Sequence, residues 1–469
     1  MQQKDVPTPP IGLALLPVVV TGAALWLSIF VLDTQPHFAL FLGATVAGLC
    51  AYIHGCSWVV IREGFKHSIC RTTSALLILL IIGMLIGVWI ASGIMPALMY
   101  LGFEFLSARW FLPLMLLFCS AMSLVTGSSW TTIGSMGVAA IGVSEGLGIP
   151  LGMTAGAVVS GAFFGDKISP MSDSTNLTSS VLGVKLFDHI RHMLYTTVPA
   201  LVIALIAFTL MGFSVSGNDG MSDVSAYTDS IQQHFNLSPW LFIPPAVVVF
   251  LIVIKVPAIP CLIAGVVLGG VAYLMFQGGT LSGLFETIHT GFTIDTGDPD
   301  MDALFSRGGM ESMYDVISLA LVSLALGGIM DRTGMLHSIV LKLARFVRST
   351  GNLTLTVIVT AIFINIVGAN QYLAVILPGQ MFEECYREKN LKLKNLTRTL
   401  EAGGTLTAPL IPWNSSGVFV ASALGVSAAA YAPYAVLCWV TAIVATVYGY
   451  ANVTMHHVKP AETEPEDQQ

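Results

Sequence analysis

Apolar runs long enough to cross a bilayer recur along the whole chain, and they constrain its fold more than any other feature. Candidates lie at about 11–32, 38–61, 73–94, 110–126, 194–214, 238–254, 258–276, 314–330, 352–368 and 434–452. A helix needs about 20 apolar residues to span the hydrocarbon core. Other stretches of similar length are interrupted by polar residues. Hydrophobic residues make up 55% of the chain and charged ones only 10%, against about 25% charged in soluble domains, so most of the surface must face lipid. The reading is an all-α, polytopic membrane protein of about ten to thirteen transmembrane segments with broken or re-entrant helices. Its first partner is the lipid bilayer. The run at 11–32 reads as a span rather than a cleaved leader.

Charge and cysteine use exclude several classes. A net charge of −7 spread over 469 residues offers no basic face for phosphates, so a nucleic-acid partner is excluded. The seven cysteines form no C-x-x-C pair, which argues against a disulfide framework or a structural zinc site. No Lys follows a Gly, so there is no phosphate-cradling loop for ATP, and no hydrolase signature stands in the chain. A transporter driven by ion gradients is expected, not an enzyme, with no cofactor beyond the ions it moves.

Basic residues set an orientation. Arg62, Lys66 and Arg71; Lys185 and Arg191; Lys342, Arg345 and Arg348; and Arg387, Lys389, Lys392, Lys394 and Arg398 form four clusters that face the cytoplasm by the positive-inside rule. Asp219, Asp223 and Asp229, and further on Asp295, Asp298, Asp300 and Asp302, read as solvated external loops. The expected organisation is a cytoplasmic tail at 1–10, a first membrane half at 11–214, an external loop at 215–238, a second membrane half at 239–455 and a polar tail at 456–469.

Each half carries two polar breaks inside apolar sequence. The first half has Thr126-Gly127-Ser128-Ser129-Trp130 and then Gly165-Asp166-Lys167-Ile168-Ser169-Pro170-Met171-Ser172-Asp173-Ser174-Thr175-Asn176. The second has Gly368-Ala369-Asn370-Gln371-Tyr372, then Glu401-Ala402-Gly403-Gly404-Thr405, continuing to Pro412-Trp413-Asn414-Ser415. Thr126 to Asp173 is 47 positions and Asn370 to Asn414 is 44. Paired breaks at matching places in two halves point to a secondary-transporter site between inverted repeats. Pro170 and Pro412 break helix and free carbonyls, which with Ser, Thr and Asn oxygens would suit dehydrated sodium. Two aspartates, Asp166 and Asp173, are costly at membrane depth unless paired or functional, and Lys167 is a candidate partner. Gly152, Gly156, Gly161 and Gly165 suggest one smooth helix face leading to the site.

These motifs resemble the NhaC family of sodium/proton antiporters. The resemblance is carried by Gly165 to Pro170 with Ser172 to Asn176, by Gln371-Tyr372-Leu373-Ala374 with Leu377-Pro378-Gly379, and by Pro409-Leu410-Ile411-Pro412-Trp413-Asn414. It implies exchange of sodium for protons across the inner (cytoplasmic) membrane, by an inverted-repeat fold moving in elevator fashion. Asp166 and Asp173 are then candidates to hold sodium or a proton. Thr126, Ser128, Ser129, Ser172, Ser174, Thr175, Asn176, Asn414 and Ser415 are candidates to line the site, as are Asn370, Glu401 and Thr405. Elevator-type relatives often form homodimers, which makes a homodimer an expectation too. The chain departs from the family pattern at three places: Asn370 stands for an Asp, Ala402 for an acid and Gln380 for an Arg. A less charged second half would also suit a carrier of a small organic acid or amino acid coupled to sodium and protons, with Asn370, Thr405 and Asn414 binding the solute.

Overall fold

The computed structural model describes residues 8–32, 34–105, 107–215, 224–254, 256–297, 302, 305–344 and 349–458. Among them the backbone is helical apart from turns, loops and one isolated bridge between Leu391 and His457. Residues 1–7, Asp219, Asp223, Asp298, Asp300, Arg345, Arg348 and 459–469 lie outside the described residues.

Among the described residues, six helices are long and apolar enough to cross a membrane: Thr72–Ala91, Ala108–Thr126, Leu186–Val215, Ile259–Phe276, Glu311–Arg332 and Thr350–Gly368. Shorter apolar helices run over Ile11–Trp26, His37–Ile53, Pro239–Leu251 and Val436–Ala451, and the pair Ser415–Leu424 and Ala428–Tyr434 is bent by 88°. The protein is thus an all-α, polytopic membrane protein. The Leu186–Val215 helix shows how its surface is sorted. Val202, Ile206, Leu210 and Phe213 are exposed along one stripe, while Ala200, Ala204, Phe208 and Gly212 pack inward. Helix spacing sets that division, and lipid covers the outer stripe.

Two expectations shift. The run at 38–61 is two helices, because the chain turns at Gly55, whose φ is 95°, and restarts at Trp58. The restarted helix continues to Ala91, so Arg62, Lys66 and Arg71 lie in its N-terminal part rather than in a loop. The segment expected as an external loop carries a helix at Val224–His234, and nearby Ile231 and Phe235 are buried.

The breaks are where the architecture is decided. Ala108–Thr126 and Thr350–Gly368 are both 19 residues long. Each ends on a left-handed residue, Gly127 at φ 66° and Ala369 at φ 51°. Each is followed by a new helix with a polar cap. Ser128 accepts from the Thr131 N–H, and Asn370 accepts from the N–H groups of Tyr372 and Leu373. The second pair of breaks is capped alike: Ser172 accepts from the Thr175 N–H and Asn414 from the Ser416 N–H.

Ser128 and Asn370 stand 242 residues apart, as do Ser172 and Asn414, Gly127 and Ala369, and Pro170 and Pro412. Measured between caps, the spacing is 44 in both halves. The value of 47 arose because Thr126 ends one helix and Asp173 follows the cap of another. A hydrogen bond repeats at the same offset. Ser123 Oγ donates to Ala162 O at 2.5 Å, and Asn365 Nδ2 donates to Gly404 O at 2.6 Å. Near the second breaks the acceptors keep that offset but the donors do not: Ser169 Oγ donates to Leu124 O at 2.9 Å, and Trp413 Nε1, two positions past the match of Ser169, donates to Ile366 O at 2.6 Å. The halves therefore match as repeats in the positions of their breaks and caps and in the Ser123/Asn365 brace.

Small residues allow this bracing, though not as one smooth face. Gly152 and Gly156 meet Ala430 and Tyr434, whereas Gly161 and Gly165 meet the backbone of Leu116, Ser120 and Leu124. The five-residue step from Gly156 to Gly161 turns the helix by about 140° beyond a full circle, which divides the stripe into two contacts. A Cβ on Gly165 would collide with fixed backbone, while one on Gly22 would meet nothing within 4 Å. Gly165→Ala should therefore cost about 1–3 kcal/mol of stability, and Gly22→Ala should be neutral or stabilising. Thermal unfolding of the purified variants in one detergent checks the contrast.

Candidate ion-exchange site

The breaks of both repeats meet at a cavity of about 180 Å³. The first repeat lines it with Gly127, Ser128, Trp130, Asp166, Asp173 and Ser174, and the second with Asn370, Gln371, Tyr372 and Ser415. Thr72, Ser74 and Ile78 of the Trp58–Ala91 helix close the remaining side.

Asp166 lies in the last turn of the Leu151–Ile168 helix. That helix stops because Pro170 cannot continue it. Asp166 is buried, 8% exposed, and its Oδ2 accepts from Ser129 Oγ at 2.7 Å. Asp173 is the first residue of the Asp173–Val181 helix and is exposed. A carboxylate is favoured there by the helix's own N-terminal dipole. Trp130 stacks on Phe419 with ring centroids 4.1 Å apart and lines the cavity.

Other predicted residues hold the breaks together instead of lining the cavity. Thr126 Oγ1 accepts from the Ser128 N–H at 3.1 Å. Thr175 Oγ1 donates to Lys167 O at 2.9 Å and to Asp166 O at 3.3 Å. Two carbonyls expected as ion ligands are thus already engaged. Asn176 Nδ2 donates to Pro170 O at 2.9 Å and to Ser172 O at 2.8 Å. Ser172 and Asn414 are fully buried caps, and Asn414 Nδ2 also donates to Asn365 Oδ1 at 3.1 Å.

Glu401 and Thr405 lie apart from the cavity, on a π-helical turn at Glu401–Thr405. That turn directs Glu401 toward the Asp173–Val181 helix, where its Oε1 accepts from Thr178 Oγ1 at 2.5 Å. The expected pairing of Lys167 with an aspartate is absent among the described ion pairs: the Lys167 ammonium is fully buried, and its Nζ makes no hydrogen bond.

Sequence reasoning missed several participants. Gln371 and Tyr372 follow the cap directly and were within the motif already noted; Gln371 Oε1 accepts from Ser416 Oγ at 2.9 Å. Thr72 and Ser74 stand in the run Thr72-Thr73-Ser74 beside Arg71, with no Gly or Pro to mark a break. Asn365 was detectable as a lone amide one turn before a break.

On the other side of Asn370 lies a second cavity of about 250 Å³, lined among others by His67, Ser68, Asp331, Arg332 and Gln380. It adjoins the helical segment bearing Arg62 and Lys66. Asn370 lines both cavities. Its Oδ1 is occupied by the cap, and its Nδ2 points to Thr72 Oγ1 at 3.4 Å.

A profile of the Na+/H+ antiporter family matches residues 10–175 and 161–453. The chain belongs to this family. It is 38% identical to the Na(+)/H(+) antiporter NhaC of Alkalihalophilus pseudofirmus, over 94% of this chain and 96% of that protein. It is also 38% identical to the malate-2H(+)/Na(+)-lactate antiporter of Bacillus subtilis, over 94% and 95%. The arginine/ornithine antiporter ArcD of Halobacterium salinarum is 36% identical over 98% of this chain and 95% of its own. Of the positions where this antiporter-family chain departs from the NhaC pattern, Asn370 and Gln380 line cavities, whereas Ala402 is buried in the π turn.

Asn365 braces the second repeat by donating to Gly404 O and to Thr407 Oγ1 and by accepting from Asn414. Asn365→Leu would remove these buried bonds, while Thr407 Oγ1 still donates to Gly403 O and Asn414 Nδ2 to the backbone carbonyl of residue 365, and should cost about 1–3 kcal/mol. A lowered thermal midpoint in detergent, with a smaller loss for Asn365→Ser, which keeps a hydroxyl donor as Ser123 does in the first repeat, checks this.

Proposed function

We propose that this protein is a secondary transporter exchanging sodium for protons across the cytoplasmic membrane. The observation that carries the reading is Asp166, a buried carboxylate facing a small cavity rich in hydroxyls at the junction of two repeats. Sodium prefers hard oxygen ligands. Asp166, with the hydroxyls of Ser128, Ser174 and Ser415, supplies one full negative charge and several neutral oxygens. A proton on Asp166 removes that charge and weakens the hold on sodium, so the two ions compete for one site. Competition turns two separate movements into exchange, provided the site opens to one face at a time. Relative motion of repeat-built units about the capped breaks would supply this alternation.

A second reading has its own support. Asn370 shows the cavity a hydrogen-bond donor and not an oxygen, and helices begin at Gln371 and Ser415 beside it. Donors and helix N-termini favour a carboxylate. This suits a sodium- and proton-coupled carrier or exchanger of a small organic acid or amino acid, in line with the names of two relatives.

Proteoliposomes with an internal pH dye separate the readings. Sodium alone should dissipate a preset proton gradient, and Asp166→Asn should abolish the response. Asp173→Asn, at an exposed position, should raise the sodium KM by a few fold, whereas Asp295→Asn, on a loop away from the cavity, should leave it unchanged. Equal loss from all three would defeat the site assignment. Because protons compete, the apparent sodium KM should rise as pH falls, by at most about tenfold per unit for a single shared proton. Proton movement seen only when malate, lactate or an amino acid accompanies sodium would establish the second reading instead.

A further inference from the structure

Among the buried charged side chains that the exchange site leaves unused are Lys167 and Glu401. Both are fully buried. Lys167 Nζ has no hydrogen-bond partner, nor has Glu401 Oε2. One helix links them: Thr175 Oγ1 donates to the Lys167 carbonyl, and Thr178, three residues on, donates to Glu401 Oε1. No direct ion pair joins them among the described residues. The buried Arg398 guanidinium is bonded to Thr454 and Met455.

Two features link this pair to the cavity. Lys167 follows Asp166 in sequence, so the two side chains leave the same helical turn in different directions. Glu401 lies outside the cavity lining but is bonded to Thr178, one turn beyond the Thr175 hydroxyl that bonds the Asp166 carbonyl. In a poorly screened interior a charge acts across several ångströms of packed protein.

The fold itself does not require the pair. At the 242-residue offset, Lys167 corresponds to Pro409 and Glu401 to Val159. The other copy of each element therefore closes with an uncharged residue at that place. Buried charges lacking full hydrogen bonding are costly, and apolar substitutes pack as well or better. Their presence in one copy only argues for a role other than packing.

We propose that Lys167 and Glu401 are positioning residues that set how strongly the cavity attracts a cation. Glu401 adds negative potential at Asp166 through the protein wall, and Lys167 offsets that contribution. Neither touches the ion. This inference rests on the exchange reading, and it predicts opposite effects for the two residues. Glu401→Gln removes negative charge and raises the sodium KM about fivefold to tenfold. Lys167→Met unmasks Glu401 and lowers the sodium KM by a similar factor. The double variant, which removes both charges together, brings the KM back toward that of the unmodified protein.

The test is the sodium KM of the intact protein and the three variants in proteoliposomes, alongside sodium-dependent thermal stabilisation of each in detergent. Compensation in the double variant supports the proposal, because a purely structural pair would not shift affinity in opposite directions. A double variant with weaker sodium affinity than either single variant, or a Glu401→Gln protein with unchanged sodium affinity, overturns it. If one single variant does not fold, the other decides: a raised sodium KM in Glu401→Gln, or a lowered one in Lys167→Met, supports the proposal, and an unchanged KM overturns it. Unmodified protein without sodium-driven proton flux would refute the exchange reading, and the stabilisation series would still report on the charge pair.

Discussion

Every interrupted helix in a bilayer faces the same constraint: backbone groups freed at the break must find partners within the protein. Here that constraint is met four times by one device. A polar residue caps the restarted helix, and a side chain from the neighbouring helix takes a carbonyl near the break. Ser128, Ser172, Asn370 and Asn414 are the caps. Ser123, Ser169, Asn365 and Trp413 are the braces. Because caps point helix starts toward one another, the breaks create both the cavity and its polarity. The site is a consequence of how the interrupted backbone is satisfied.

This explains which parts of the molecule were legible in the sequence. Apolar runs announce spans directly, since lipid demands them, and most of the predicted runs coincide with helices. The breaks were legible as well, because Gly, Pro and clustered hydroxyls stand out against apolar flanks. Their roles were harder to read. Thr175 and Asn176 look like ligands in a linear motif, yet their side chains turn back to carbonyls of their own loop. Glu401 looks like part of a site that begins four residues before Thr405, but a π turn swings both away. Hydroxyl and carboxylate directions depend on local helix geometry, which spacing alone does not specify. The hydroxyls of Thr72 and Ser74 reach the cavity only through tertiary packing of a distant helix, so no local pattern marks them.

The cavity is also charged more unevenly than its architecture. Helix starts from both repeats supply partial positive charge, while its carboxylates, Asp166 and Asp173, come from the first repeat. Asp166 is buried and Asp173 exposed, so their influence on a bound ion differs in kind. A buried carboxylate is poorly screened and dominates the energy of a dehydrated cation. An exposed one is weakened by water and salt, and contributes mainly to the local concentration of cations.

Comparison between the repeats separates what the fold requires from what transport requires. Gly127 and Ala369, Pro170 and Pro412, and the four caps answer to backbone constraints and recur in both copies. The charged positions do not recur: Asp166 corresponds to Ala408, Asp173 to Ser415, Lys167 to Pro409 and Glu401 to Val159. A duplicated scaffold with identical halves would present equal groups from both sides of the cavity. Divergence instead gives one half the carboxylates and the other half neutral donors and hydroxyls at Asn370, Gln371 and Ser415. The carboxylates of the candidate site thus stand where the repeats differ, and its capped breaks where they agree.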